Sequence, residues 1–138
     1  MIRKMFIAAW LLAAFIGGAA AQEKMTPEAL QKLAKHGYLL ALKSEFTCIR
    51  NSAIFQVMQY QTRYPQDDMR PFVKALRELS QNDPAPQNRL HAFLACTFLE
   101  NAKLLQAAGA PPQGEDEKSL YFVRLQEILQ TNAALASN

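Results

Sequence analysis

The sequence predicts an all-α protein, a compact bundle of about five helices in one domain, stapled by one disulfide. Three observations lead there. Apolar residues recur at steps of three and four along several separate stretches, the spacing that gathers side chains on one face of a helix. No stretch alternates apolar and polar residues with period two, and β-branched residues are scarce. Proline and glycine gather between the periodic stretches, in "QNDPAPQN" and "GAPPQG", where they punctuate rather than interrupt.

The chain begins with a leader pattern. In "MIRKMFIAAWLLAAFIGGAAAQ" the basic Arg3 and Lys4 precede an apolar run and a small-residue end with Ala19 and Ala21 in an A-x-A arrangement. That is the layout of a secretory signal peptide over residues 1–21, cut after Ala21. The apolar run is short for a span of ~20 residues, so no stable membrane anchor is expected after cleavage. The mature chain, residues 22–138, is expected to be one helical domain with a frayed tail over 132–138, and its location to be the periplasm.

The first helix follows from "MTPEALQKLAKHG". Thr26 is suited to cap it, Pro27 to occupy its first position, Glu28 to add acid to its first turn and Gly37 to stop it. The second is expected over residues 38–63, with Leu39, Leu42, Phe46, Ile49, Ala53, Val57 and Tyr60 inward. "YPQDD" breaks the chain, and a third helix is expected over 68–80, with Met69, Phe72, Val73, Leu76 and Leu79 inward and Pro71 tolerated in the first turn. A fourth is expected over 88–108, using Leu90, Phe93, Leu94, Thr97, Phe98, Leu104 and Leu105, and ended by Gly109 and the prolines after it. The last, over 115–131, carries Tyr121, Phe122, Leu125, Ile128 and Leu129, with the acidic run "EDE" at its start.

Export gives the two cysteines a reading. Cys48 and Cys96 are the only ones in the chain, and an oxidising compartment allows them to close a single bridge. Such a loop restricts the unfolded chain by about 4 kcal/mol in the chain-entropy model. A free reactive thiol is the competing reading, and the spacing excludes a C-x-x-C redox pair.

Charge narrows the partners. The whole chain carries +3. Without Arg3 and Lys4, 13 basic residues face 12 acidic ones, a net charge of +1 that offers no domain-wide field for nucleic acid. His36 and His91 have no second metal ligand at helical spacing, no glycine-rich phosphate loop is present, and the serines lack a nucleophile-elbow context. Met58 and Met69 fit apolar faces. No cofactor, metal or enzymatic activity is expected, and a protein partner is. A second copy of the chain, giving a homodimer, is an alternative partner. The segment "QNDPAPQN" suits a preorganised contact. Pro84 and Pro86 restrict its backbone, while Gln81, Asn82, Asp83, Gln87 and Asn88 offer hydrogen-bonding groups. A solvated connector is the plainer reading of that segment, and the rival exposed segment is "GAPPQGEDE".

"FTCIRNS" and "ACTFLENAKLLQ" resemble the cysteine segments of the periplasmic amidase-immunity proteins of type VI secretion systems, over roughly residues 38–106. The resemblance implies an inhibitor that blocks the active-site cleft of a secreted peptidoglycan amidase. The helix after Pro112 is a departure from that pattern, and no inhibitory residue carries over. "FTC" and "ACT" are also similar to segments of the small periplasmic acid-stress chaperones, which implies an alternative role in holding clients at low pH. A generic envelope adaptor or assembly factor is a third reading, without a motif.

Overall fold

The computed structural model describes residues 24–136. The leader assigned to residues 1–21 lies outside the described residues. Six α-helices and one short 3-10 helix make up the described chain, and no strand occurs among the described residues. They are α1 (Pro27–Ala41), α2 (Thr47–Arg63), α3 (Arg70–Asn82), α4 (Pro86–Glu100), α5 (Ala102–Ala108) and α6 (Lys118–Ala136), with the 3-10 helix at Glu115–Glu117. The described chain divides into two units between Gln31 and Lys32. In the first, the Thr26 hydroxyl accepts from the Ala29 N–H at 3.2 Å and caps α1 as its sequence predicts.

The core belongs to the second unit. Phe55, Phe72, Phe98 and Phe122 are its largest fully buried side chains, with Ile54, Met58, Leu76, Leu94, Leu104 and Leu125 around them. Helix α4 packs against α2, α3, α5 and α6. It is therefore apolar on several sides, whereas α3 buries only Phe72 and Leu76.

Helices α2 and α4 run parallel. The Thr47 carbonyl and Asn51 of α2 meet Asn88 and His91 of α4, and further along Gln61 meets the Leu99 carbonyl. Helix α3 turns back into α4 through residues 83–85.

Several helix boundaries differ from expectation. Helix α1 continues through Gly37 to Ala41. Glycine costs about 1 kcal/mol inside a helix, and the last turn makes up for it by placing Tyr38 edge-on to Tyr60, with ring centroids 6.1 Å apart. The break comes instead after Ala41, because Arg50 reaches back to the carbonyls of Ser44 and Glu45 at 2.8 and 3.0 Å and holds the turn open. The expected fourth helix is divided at Asn101, whose side chain accepts from the N–H groups of Lys103 and Leu104 and starts α5. Six helices thus stand where about five were expected. Gly109, at φ 75°, ends α5 as its position predicts. Helix α6 runs through Ala136, past the expected end at residue 131.

The expected disulfide is not formed. Cys48 and Cys96 are both free thiols, the first exposed and the second buried. The parallel register of α2 and α4 explains why. Cys48 neighbours Thr47, which sits level with Asn88, and Cys96 lies eight residues further along α4. At 1.5 Å per residue that is about 12 Å of helix, against a reach of roughly 7 Å between the Cα atoms of a bridge. The thiols also face different neighbours. Cys96 Sγ lies 3.8 Å from the Val73 carbonyl and 3.8 Å from Glu100 Oε2, on the α3 side of α4. Burial, with the Glu100 charge beside it, pushes its pKa up.

Candidate interaction surface

The turn between α3 and α4 is built from the inside outward. Asp83 ends α3, Pro84 and Ala85 follow, and Pro86 opens α4 with its fixed φ suited to the first helical position. Asp83 is 3% exposed and Asn88 1% exposed, so neither offers its side chain to a partner as the sequence reading had it. The carboxylate of Asp83 accepts from Arg50 Nε at 2.6 Å and from Nη2 at 3.1 Å. It also takes the Ala85 N–H at 2.9 Å, and Asn88 Nδ2 lies 3.4 Å from Oδ2. The Arg50 guanidinium, first by hydrogen bond, holds the Asp83 carboxyl below the usual carboxylate range, and burial opposes that shift without reversing it. Arg89 closes the outside by donating to the Asp83 and Pro84 carbonyls at 2.7 and 3.3 Å.

Gln81, Asn82, Pro84 and Gln87 are exposed on this locked turn. Of the five polar residues expected to present hydrogen-bonding groups, Gln81, Asn82 and Gln87 therefore remain outward, the first two ending α3 and the third beginning α4. Two further features were not read from sequence. Arg50, taken only as part of a helix, is the residue that organises the turn. A cleft of about 400 Å³ opens beside it, with Leu42 and Leu79 as apolar lining and Lys43 and Glu78 as charged lining. The signal for Arg50 was its place near the start of α2, among residues that read as an inward face. A buried arginine there needs an acid, and Asp83 was within the segment already singled out.

The second polar cluster joins the same ends of α2 and α4 to α6. Asn51 Nδ2 lies 2.8 Å from Asn88 Oδ1 and 3.0 Å from His91 Nδ1. His91 is 6% exposed, and its ring is stacked on Phe122. Burial, helped by the Lys118 charge, lowers its pKa to about 4. His36 is exposed in α1. The acidic run forms the 3-10 helix before α6, where Glu115 accepts from Ser52 Oγ at 2.9 Å and pairs with Lys118 at 2.8 Å.

Among the described residues no group of three or more His, Cys, Asp or Glu side chains is placed to hold a metal ion. No described helix is long and apolar enough to cross a membrane. The chain matches no protein-family model, no curated protein and no solved structure.

Proposed function

We propose that the protein is an exported, non-enzymatic binding protein of the immunity type, which blocks a secreted cell-wall amidase in the periplasm through the turn between α3 and α4. The observation that carries this reading is the way the turn is held. Arg50 and Asn88 on the inside and Arg89 on the outside fix its backbone, so Gln81, Asn82, Pro84 and Gln87 project from set positions. Side chains and loops ordered before contact avoid a cost of ~0.5–1.5 kcal/mol for each that binding must otherwise immobilise. A rigid polar projection is what a polar enzyme cleft can accept, and the leader pattern of residues 1–21 supports an encounter outside the cytoplasm.

The test begins with the neighbouring genes, since the immunity reading expects one of them to encode a secreted peptidoglycan amidase, and then pairs the mature chain with that enzyme. Stoichiometric addition should stop peptidoglycan hydrolysis, and calorimetry should give one-to-one binding. Asn82→Ala combined with Gln87→Ala should weaken binding at least tenfold without changing the melting temperature by more than a few degrees. Full inhibition by that double variant would move the contact elsewhere on the surface. Absence of any binding by the unaltered chain would end the immunity reading.

A further inference from the structure

The two polar clusters form one relay with a fixed sense. The Asp83 carboxylate and the Thr47 carbonyl can only accept, and both face Asn88 Nδ2, at 3.4 and 3.2 Å. Asn88 must therefore turn its Oδ1 toward Asn51. Asn51 must answer with its amide NH2, and the same NH2 group lies 3.0 Å from His91 Nδ1. That nitrogen can only be an acceptor, which makes His91 neutral with its proton on Nε2. The ionised Asp83 thus dictates, through two amides, the tautomer of a histidine on the next element. His91 in turn carries the contact between α4 and α6, because its ring lies 3.9 Å from that of Phe122 with only 7° between the planes.

We propose that His91 is an acid-operated latch between α4 and α6: a proton taken up from solvent at Nδ1 meets the Asn51 NH2, breaks the relay and frees α6 from the first half of α4. A flip of the Asn51 amide does not rescue the protonated state, since it turns two oxygens, those of Asn51 and Asn88, toward one another. The charged groups around the ring work in the same direction. Lys118, at the start of α6, opposes a second cation nearby. Glu115, its neighbour in the 3-10 helix, is engaged by Lys118 and by Ser52 of α2. Arg50 of α2 and Asp83 are consumed by one another, and Arg89 of α4 is held by the carbonyls of the turn. Among the described residues the charge that acts on the ring is that of Lys118, which opposes the imidazolium. Release of α6 uncovers Phe55, which stands 5.9 Å from Phe122, and with it an apolar surface. The latch is independent of which partner the turn engages.

The experiment is NMR on the 15N-labelled mature chain. At pH 7 His91 should show the Nε2–H tautomer. It should titrate far below the ordinary 6.5, near 4. Amide protection in residues 118–129 should fall at least tenfold through the same pH range, ahead of that in α3. His91→Gln, whose amide oxygen can still accept from Asn51, should keep α6 protected to lower pH. An Nδ1–H tautomer, titration near 6.5, or simultaneous loss of protection in α3 and α6 would each overturn the latch. The first two readings need no variant, so a poorly folding His91→Gln chain leaves the proposal open to refutation.

Discussion

Arg50 grips the carboxylate of Asp83 at two points, Nε to Oδ2 at 2.6 Å and Nη2 to Oδ1 at 3.1 Å, and the two side chains are only 9% and 0% exposed. One residue lies in the first turn of α2 and the other caps the end of α3, so a single ion pair sets how the α1–α2 turn meets the α3–α4 turn. The pair is buried, and its partners saturate it. The guanidinium also serves two carbonyls, and the carboxylate also serves a backbone N–H.

Removing one partner leaves the other charge stranded. Arg50→Ala should lower stability by about 3–5 kcal/mol, as expected when one half of a buried pair is lost. Asp83→Ala should do the same. The double variant should cost clearly less than the sum, because the stranded charge is gone. Urea unfolding of the four proteins measures the coupling, and strict additivity would mean that the pair does not act as a unit.

Stability should decline on the acid side in two stages. His91 has a folded value of about 4, below its ordinary 6.5. Between these values the unfolded chain binds the proton and the folded chain does not, so stability falls as pH drops from 6.5 to about 4. The carboxyls of Asp83 and Asp67 are also depressed, by Arg50 and by the Tyr60 hydroxyl respectively. Their contribution is complete above the ordinary carboxylate value of 3.8 and is lost as pH falls through their folded values. Melting temperature against pH should show both stages, and His91→Gln should remove the first alone.

The thiols should behave as two separate groups. A thiol reagent added to the native protein should modify exposed Cys48 within seconds to minutes and reach Cys96 only when the chain unfolds. Reducing agent should leave the melting temperature unchanged. A mass two units lower, or a drop in melting temperature on reduction, would contradict the separation of the two residues along the parallel helices.

Core and cap should differ several-fold in cost. Phe122→Ala removes a fully buried ring that touches both His91 and Phe55, and should cost about 3–5 kcal/mol. Asn101→Ala removes only the cap of the short helix α5 and should cost about 1 kcal/mol. Denaturant midpoints at constant slope make the comparison.

The helical class, the punctuation at residues 64–68 and 109–112, the cap at Thr26 and the stop at Gly109 were all legible in the sequence, because each depends on the residue itself and its near neighbours. Periodicity served α3 and α6 well, where Phe72, Leu76, Tyr121, Phe122 and Leu125 are buried as their spacing implied. It served α2 and α4 less well. Phe46, Ile49, Leu90 and Phe93 are exposed despite lying on the expected apolar stripe, and Arg50, Asn88 and His91 are buried instead. Helices surrounded on several sides do not have one apolar face, so spacing alone cannot say which positions are turned inward.

What only the tertiary structure decided has a common physical cause. Whether two cysteines meet depends on the register of α2 against α4, a distance in space that no spacing along the chain contains. Whether Asp83 and Asn88 face solvent or the interior depends on an arginine thirty-three residues earlier than Asp83. The sequence alone determined that the chain would be helical and that it would turn near residues 64–68, 83–85 and 109–112, but not that it would break after Ala41 and at Asn101. Long-range pairing of the charged and amide groups on those turns decided which of them are structure and which are surface.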